Sequence, residues 1–465
     1  MRSKALLATA LGTMMLAGCV SLAPAYDAGD MPVPAEMPGA SADTEAVAPL
    51  LWDDVVTSPA LKQVIAIALE ENRDLRVTAA NVRAARANLL VSRSSLWPTV
   101  SASASAQSGD TFEEGPTGTT RFVDSTYGQI GVSAWELDFF GRIRNLNEAA
   151  LQSYLASEEG ERAAKISLAG TVAETWMQLA ADHELLKLAN RTAESQTESL
   201  DLTRELFAAG TASELDVRRA SASVAQAQAQ AAQYEAAVRR DMNALQLLVG
   251  SPLPTGLSAE ASLSPAPVAL NLPVGQSSLV LLDRPDVRAA EARLRASNAN
   301  IGAARAAYFP SVSLTGGVGV ASGSLDDLFS GDGSSGWTFT PAIDLPIFDF
   351  NRRRGNVEAA RAEAEAALAT YQGTIQQAFR EVADAAAVSG TIDRRLQALE
   401  QLAEDTQVTF KLSGERFRSG LDGYLTVLDA QREYYNAQQQ LILARLDNNL
   451  NSIALYKALG TWSEE

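Results

Sequence analysis

The chain carries one unit twice, and each copy includes a strand pair that cannot close a sheet by itself. Asp74, Leu75 and Arg76 return as Asp286, Val287 and Arg288, and the run Trp97 to Ser101 returns as Phe309 to Ser313, both at an offset of 212. Past the first strand pair the offset is 210. Glu148, Ala149 and Ala150 match Glu358, Ala359 and Ala360, and Phe207, Gly210, Leu215 and Val217 match Phe417, Gly420, Leu425 and Val427. A period held along two halves marks a tandem duplication of a unit of about 200 residues.

Each unit reads as helix, β-hairpin, very long helix, turn, helix. The first predicts a helix over Ser58 to Leu96, with Pro59 in its first turn and Pro98 beyond its end. Residues 99–107 alternate strictly between small polar and apolar types, and residues 127–137 return after the polar loop Ser108 to Ser125. The second unit predicts strands over 311–321 and 337–345 around the glycine-rich loop Gly323 to Gly336. Strands of about ten residues suit a tilted bilayer crossing, and one apolar face opposite a small polar one suits a barrel with lipid outside and water inside. Soluble hairpins packed on a core give the same alternation. If the strands do span a membrane, four cannot close a barrel, and an open edge cannot face lipid with its backbone groups unpaired. Several copies must then share one barrel. Three copies give twelve strands, although sequence alone does not choose three over two.

The long helices are expected from Arg142 to Ala209 and from Arg352 to Arg418, each about 100 Å long if continuous. Their partners run from Ser213 to Leu248 and from Asp422 to Leu459. Gly210 and Gly420 break the pairs, because glycine adopts the left-handed conformation that ends a helix. The expected organisation is a leader at 1–18, a lipid anchor and extended tether at 19–57, and a first repeat at 58–250 with its hairpin at 99–137 and long helices at 142–249. A linker at 251–275 follows, then a second repeat at 276–460 with its hairpin at 311–345 and long helices at 352–459, and a tail at 461–465.

At the N-terminus, Arg2 and Lys4 precede a short apolar run, and Leu16, Ala17, Gly18 and Cys19 follow. The run is too short to cross a bilayer comfortably and reads as a signal peptide. The last four residues resemble a bacterial lipobox, which implies a covalent lipid on Cys19, N-palmitoyl and S-diacylglycerol. Cys19 is the only cysteine, so an internal disulfide is excluded. Val20 stands where an aspartate would resemble an inner-membrane retention signal, which favours the outer membrane. Five prolines between residues 20 and 50 keep that stretch from regular helix.

The formal charge is −18, and removing Arg2 and Lys4 with the leader leaves 36 basic against 56 acidic residues, or −20. Nucleic-acid binding needs basic surface to displace counterions, so it is argued against. His183, the only histidine, reads as a surface residue in mid-helix. No Ser–His–Asp set, metal-ligand cluster or phosphate loop stands out. No enzyme, cofactor or metal is expected.

Several runs resemble the TolC-like outer-membrane efflux factors, specifically their lipidated branch. They are Trp135 to Arg142, Arg284 to Val287, Leu345 to Phe348, Tyr424 to Arg432 and Leu455 to Gly460, together with the lipobox and the repeat. The resemblance covers nearly the whole mature chain. It implies an α+β membrane protein, a homotrimer with a 12-stranded β-barrel in the outer membrane continued by a long α-helical barrel in the periplasm. It also implies a periplasmic adaptor and an inner-membrane transporter of the resistance–nodulation–division class as partners. By the same resemblance, Gly210, Thr211, Ser213, Gly420, Leu421 and Asp422 form adaptor-docking tips, and Leu425 and Asp429 line a periplasmic constriction. Three copies of Asp429 would then make an acidic ring that raises its own pKa. At the equivalent sites the first repeat has Leu215 and Arg219, so the gate is asymmetric. A tip latch between an acid and an aromatic hydroxyl, known in relatives, is in doubt: Asp216 supplies the acid, but Phe417 has no hydroxyl. Arg142, Arg144 and Arg352 to Arg354 are read either as headgroup contacts or as plain helix starts. The expected cargo is drugs or other small molecules. Protein export or metal efflux through the same channel type, and a passive coiled-coil envelope lipoprotein, stay as alternatives.

Overall fold

The computed structural model describes residues 21–37, 52–107, 125–268, 277–323, 326 and 333–459. The leader, Cys19, most of both hairpin loops and the C-terminal tail lie outside the described residues. The first repeat supplies α1 (Pro59–Glu71), α2 (Arg73–Ser94), β1 (Val100–Gln107), β2 (Ser125–Leu137), α3 (Arg142–Ala208) and α4 (Glu214–Val249). The second supplies α5 (Pro285–Ala306), β3 (Ser311–Ser322), β4 (Ser334–Asp344), α6 (Arg352–Arg418) and α7 (Tyr424–Leu459). No described helix is long and apolar enough to cross a membrane.

The helix expected over 58–96 is two helices, α1 and α2, because Asn72 interrupts it. The Asn72 backbone is extended at ψ 130°, and its side chain works in both directions. Its Oδ1 accepts from the Leu75 N–H at 2.8 Å, capping α2, and its Nδ2 donates to the Leu248 carbonyl at 2.7 Å near the end of α4. The second repeat makes the same connection with different chemistry. Arg284 stands 212 residues after Asn72, and Ala458 stands 210 after Leu248. Arg284 Nη1 donates to the Ala458 carbonyl at 2.5 Å. The duplication has therefore conserved a contact to a late carbonyl of the last helix while exchanging the donor. The Arg284 side chain is only 8% exposed, and its charge is met by Asp286 at 2.8 Å and Glu381 at 2.9 Å.

The chain divides into two compact units, one holding the sheet and one the longer helical pairing. The helical unit is centred on Trp176, Met177 and Leu179 of α3, packed with Leu61, Val64 and Ile65 of α1, Leu245 of α4 and Ile453 of α7. Each of these is at most 1% exposed, and burying a side chain of this size contributes about 1.5–3 kcal/mol.

In the other unit the four strands form one antiparallel sheet in the order β1-β2-β3-β4, so the hairpins of the two repeats pair through β2 and β3. The register sorts the faces. Ala102 pairs with Ile130, Ile130 with Val318, and Val318 with Trp337, giving one apolar rung across all four strands. The next rung, Ser103, Gln129, Gly319 and Gly336, is small and polar. Trp337 is 77% exposed and Ile343 73%, so the apolar face has no cover among the described residues.

One irregularity keeps the sorting intact. Val132 pairs with Gly316 and Trp135 with Leu314, so Ser133 and Ala134 together oppose the single residue Thr315. This β-bulge shifts the alternation by one, placing Trp135 and Leu137 on the apolar face and Glu136 on the polar one. Ala134 sits at φ +51° with its N–H bonded to Thr315 Oγ1 at 3.0 Å. A left-handed alanine costs roughly 1–2 kcal/mol. Ala134→Gly is therefore expected to stabilise the folded protein by about 1 kcal/mol in thermal unfolding, whereas deleting Ser133 removes the extra residue, sets Ala134 alone opposite Thr315 and keeps Trp135 opposite Leu314 on the apolar face, so that variant should still fold. Loss of folding in the deletion variant would refute the reading of one extra residue at the bulge.

Candidate functional site

Two helix-to-helix turns and the start of α7 gather the residues singled out from the sequence. At the first turn Gly210 is left-handed at φ +77°, and the Gly210 and Thr211 N–H groups return to the carbonyls of Phe207 at 3.0 Å and Leu206 at 2.9 Å. Ser213 then caps α4. Its Oγ accepts from the Asp216 N–H at 3.2 Å, and the Asp216 carboxylate accepts from the Ser213 N–H and hydroxyl, a complete capping box. Those bonds hold Asp216 below the usual carboxylate range.

The second turn has the same backbone and different chemistry. Gly420 is left-handed at φ +72°, and Leu421 N–H donates to the Arg416 carbonyl at 3.0 Å. Asp422 takes two bonds from the Arg416 guanidinium, at 2.6 and 3.0 Å, which lower its pKa. Phe417 rests on Tyr424 with ring centroids 5.7 Å apart, so the acid and the ring considered for a latch are both engaged elsewhere.

Leu425 and Asp429 are exposed on one face of α7, and Arg432 and Asn436 extend the same exposed stripe at helical spacing. The nearest charge to Asp429 is Arg432 at 3.6 Å, which the sequence reading did not weigh. The opposite face of α7 is buried. Tyr424, Val427 and Leu428 pack with Leu200 of α3 and with Ala220 and Val224 of α4. Tyr424 Oη donates to Gln196 Oε1 at 3.5 Å, and Gln439 donates to the Tyr234 hydroxyl at 2.9 Å.

The basic residues after the strands are largely tied within the chain. Arg142 binds Glu136 through two nitrogens, and Arg144 binds Asp138. Arg353 binds Asp349 at 2.6 Å and lies over the Tyr308 ring. For these three the helix-start reading accounts for the charge.

His183 is half-buried rather than on the surface, and burial lowers its pKa. Beside it lies a pair that no sequence pattern connects. Asp182 of α3 is 7% exposed and lies within hydrogen-bond reach of Asp241 of α4, whose Oδ2 is buried without another partner. Burial first, and then the neighbouring carboxylate, push Asp241 up to about 7. Among the described residues no cluster of three metal-ligating side chains forms.

A sheet with one uncovered apolar face, joined to paired helices of 67 and 36 residues, is the architecture of a membrane channel built from repeats. The chain belongs to the outer membrane efflux protein family, whose model matches it twice, at residues 64–251 and 277–461. It is 44% identical over 460 residues to the solvent efflux pump outer membrane protein SrpC of Pseudomonas putida, covering 97% of each chain. A crystal structure of a membrane protein from Pseudomonas aeruginosa matches at TM-score 0.87 and 36% identity, over 95% of this chain and 97% of that one. The open state of the MtrE outer membrane channel of Neisseria gonorrhoeae matches at TM-score 0.86 and 34% identity, over 95% and 98%. This chain is thus an outer-membrane efflux channel protein whose role is transport.

The buried carboxylate pair sets a pH dependence with a definite sign. Unfolded, Asp241 loses its proton near pH 4, whereas folded it keeps it to about 7. Between these values the folded state binds more protons, so stability falls as pH rises through the window and levels off above it. Asp241→Asn should flatten this fall, and its stability advantage over the parent in thermal melts should widen from pH 5 to pH 8. An advantage that does not change with pH would rule the pair out as its source.

Proposed function

We propose that three copies of this chain close one twelve-stranded outer-membrane barrel and pass small molecules outward from an inner-membrane transporter of the resistance–nodulation–division class through a periplasmic adaptor. The observation that carries this reading is the sheet register: a continuous apolar face, a continuous small polar face and, among the described residues, two free edges, β1 and β4. Strands alternate in direction from β1 to β4, so β4 of one copy meets β1 of the next antiparallel. An even number of strands closes without a mismatch, and closure removes the edges that lipid cannot satisfy. The names of relatives such as SrpC support solvents and other apolar organic molecules as cargo.

In this reading residues 1–18 are a cleaved signal peptide, and Cys19 carries N-palmitoyl and S-diacylglycerol groups that add an anchor beside the barrel. The turns at Gly210, Thr211 and Ser213 and at Gly420, Leu421 and Asp422 receive the adaptor. The exposed stripe of Leu425 and Asp429 lines the narrowest part of the periplasmic passage, where each Asp429 carries Arg432 beside it. The ring is then one of alternating charge rather than a purely acidic one, which moderates repulsion between copies.

Thr211 and Leu421 are exposed, and Leu421 is 68% so, while Ser213 and Asp422 are spent on capping and ion pairing. Photo-crosslinking in cells from Thr211 and Leu421 is expected to capture a periplasmic adaptor. Crosslinks confined to the chain itself, with the protein abundant and trimeric, would overturn docking at these turns. In planar bilayers, Asp429→Asn should lower the preference for cations over anions severalfold. An unchanged preference would remove Asp429 from the narrowest part of the passage.

A further inference from the structure

The stretch behind Cys19 was expected to be an extended tether. Residues 21–26 form no helix or strand and bend at Ala23, and they are held along α5 by a row of side chains. Glu291, Arg295, Asn298, Gly302 and Arg305 recur at helical spacing, so they form one stripe on one face. Arg305 Nη1 donates to the Leu22 carbonyl at 3.2 Å, and Asn298 Nδ2 donates to the Pro24 carbonyl at 3.0 Å. Tyr26 Oη donates to Glu291 Oε1 at 3.0 Å, and the Arg295 guanidinium lies 4.8 Å from the centre of the Tyr26 ring. At Gly302 a Cβ would lie 2.7 Å from the Ala23 nitrogen and 2.6 Å from Asn145 Nδ2, so only glycine leaves room for the segment. Ser21 Oγ completes the row by donating to Asn145 Oδ1 of α3 at 2.8 Å.

The segment suits this mode of reading. Pro24 has no N–H to satisfy, and the Ala23 N–H is met by Ser21 Oγ at 3.3 Å. Its carbonyls are therefore the groups that need partners, and the helix meets them with side-chain donors.

The duplication supplies an internal comparison. α2 is the counterpart of α5, and at the five equivalent positions it has Ala79, Arg83, Arg86, Leu90 and Arg93. The arginines at the second and fifth positions persist. The acid, the amide and the glycine that contact the segment do not, and Leu90 is 61% exposed. Among the described residues no such segment lies on α2, and α2 lacks the features by which α5 holds one.

We propose that residues 21–26 are a clasp, that the α5 stripe is a docking site for this proline-containing segment of the chain's own N-terminus, and that the docked clasp braces the two hairpins at their bases. Ser21 engages α3 eight residues past the end of β2, and Leu22 engages α5 six residues before the start of β3. The clasp thereby bonds both repeats close to where their strands leave the helices.

Maleimide labelling of an Ala23→Cys variant of the full chain tests the docking, with the parent chain as background for any thiol left at Cys19. Adding Gly302→Leu, which installs the residue of the other repeat, should speed labelling about tenfold or more. Tyr26→Ala should do the same without altering the helix, and Leu90→Gly should change nothing. Equal labelling rates across these backgrounds would overturn the clasp. Thermal unfolding in detergent tests the bracing, with Gly302→Leu and Tyr26→Ala each expected to lower the midpoint by several degrees. Faster labelling with an unchanged midpoint would leave a docked segment and refute the brace. The labelling does not depend on transport, so its failure is distinguishable from failure of the channel reading.

Discussion

One extra residue in β2 decides which way the sheet faces. Because side chains alternate with period two, the strand could not carry Trp135 and Glu136 on their observed faces without the shift at Ser133 and Ala134. Everything beyond the bulge then follows. Leu137 joins Val312 and Ile343 on the apolar face, and Glu136 joins Ser313 and Ala342 on the other. Glu136 is in turn the carboxylate that receives Arg142 at the start of α3. A single left-handed alanine thus links the lipid-type face of the strand to the charge pairing of the helix that follows.

The duplicated contacts show which features the fold needs and which are free to diverge. Asn72 and Arg284 reach equivalent carbonyls near the ends of α4 and α7 although one is a neutral amide and the other a cation. What is kept is a donor at that point, because a late helix carbonyl has no partner within its own helix. The cation brings a further requirement, since a buried guanidinium needs carboxylates, and Asp286 and Glu381 provide them. The run Arg284, Pro285, Asp286 therefore reads as a cap, a first-turn proline and the counter-ion of the cap, a structural device rather than a site for a ligand.

Much of this was legible in the sequence. The four long helices and four strands begin and end within about three residues of their expected positions, because glycine, proline and alternation punctuate them strongly. What the sequence did not show has a common physical character. The break at Asn72 depends on a carbonyl 176 residues away. The bulge depends on register against another strand, and Ala134 carries no glycine to mark it. The Asp182 and Asp241 pair lies across two helices whose facing register no local pattern fixes. The clasp was hidden by its composition, since proline and alanine behind a lipobox read as tether whether or not something binds them. Among the site residues, Leu425 and Asp429 share an exposed face as expected of a helix spacing of four, whereas Arg432 beside Asp429 was visible three residues on and was not weighed.

The two turns illustrate how far copies of one unit can part while keeping the same path. Both use a left-handed glycine and the same return bonds, so the backbone problem is solved once. The side chains then differ. Ser213 and Asp216 form a neutral-to-anionic capping box, while Arg416 and Asp422 form an ion pair whose partners lie on either side of the turn. The first arrangement satisfies the N–H groups that open α4 and leaves Asp216 carrying an anion at a helix N-terminus, where the dipole favours it. The second fixes the turn from the preceding helix and leaves α7 to begin on Tyr424, which is buried against α3. Exposed surface at the first turn is centred on Thr211, with Phe207 and Leu215 exposed on either side, and at the second it is centred on Leu421. A partner that meets both turns meets the same backbone path carrying different side chains, a capped threonine turn in one repeat and an ion-paired leucine turn in the other.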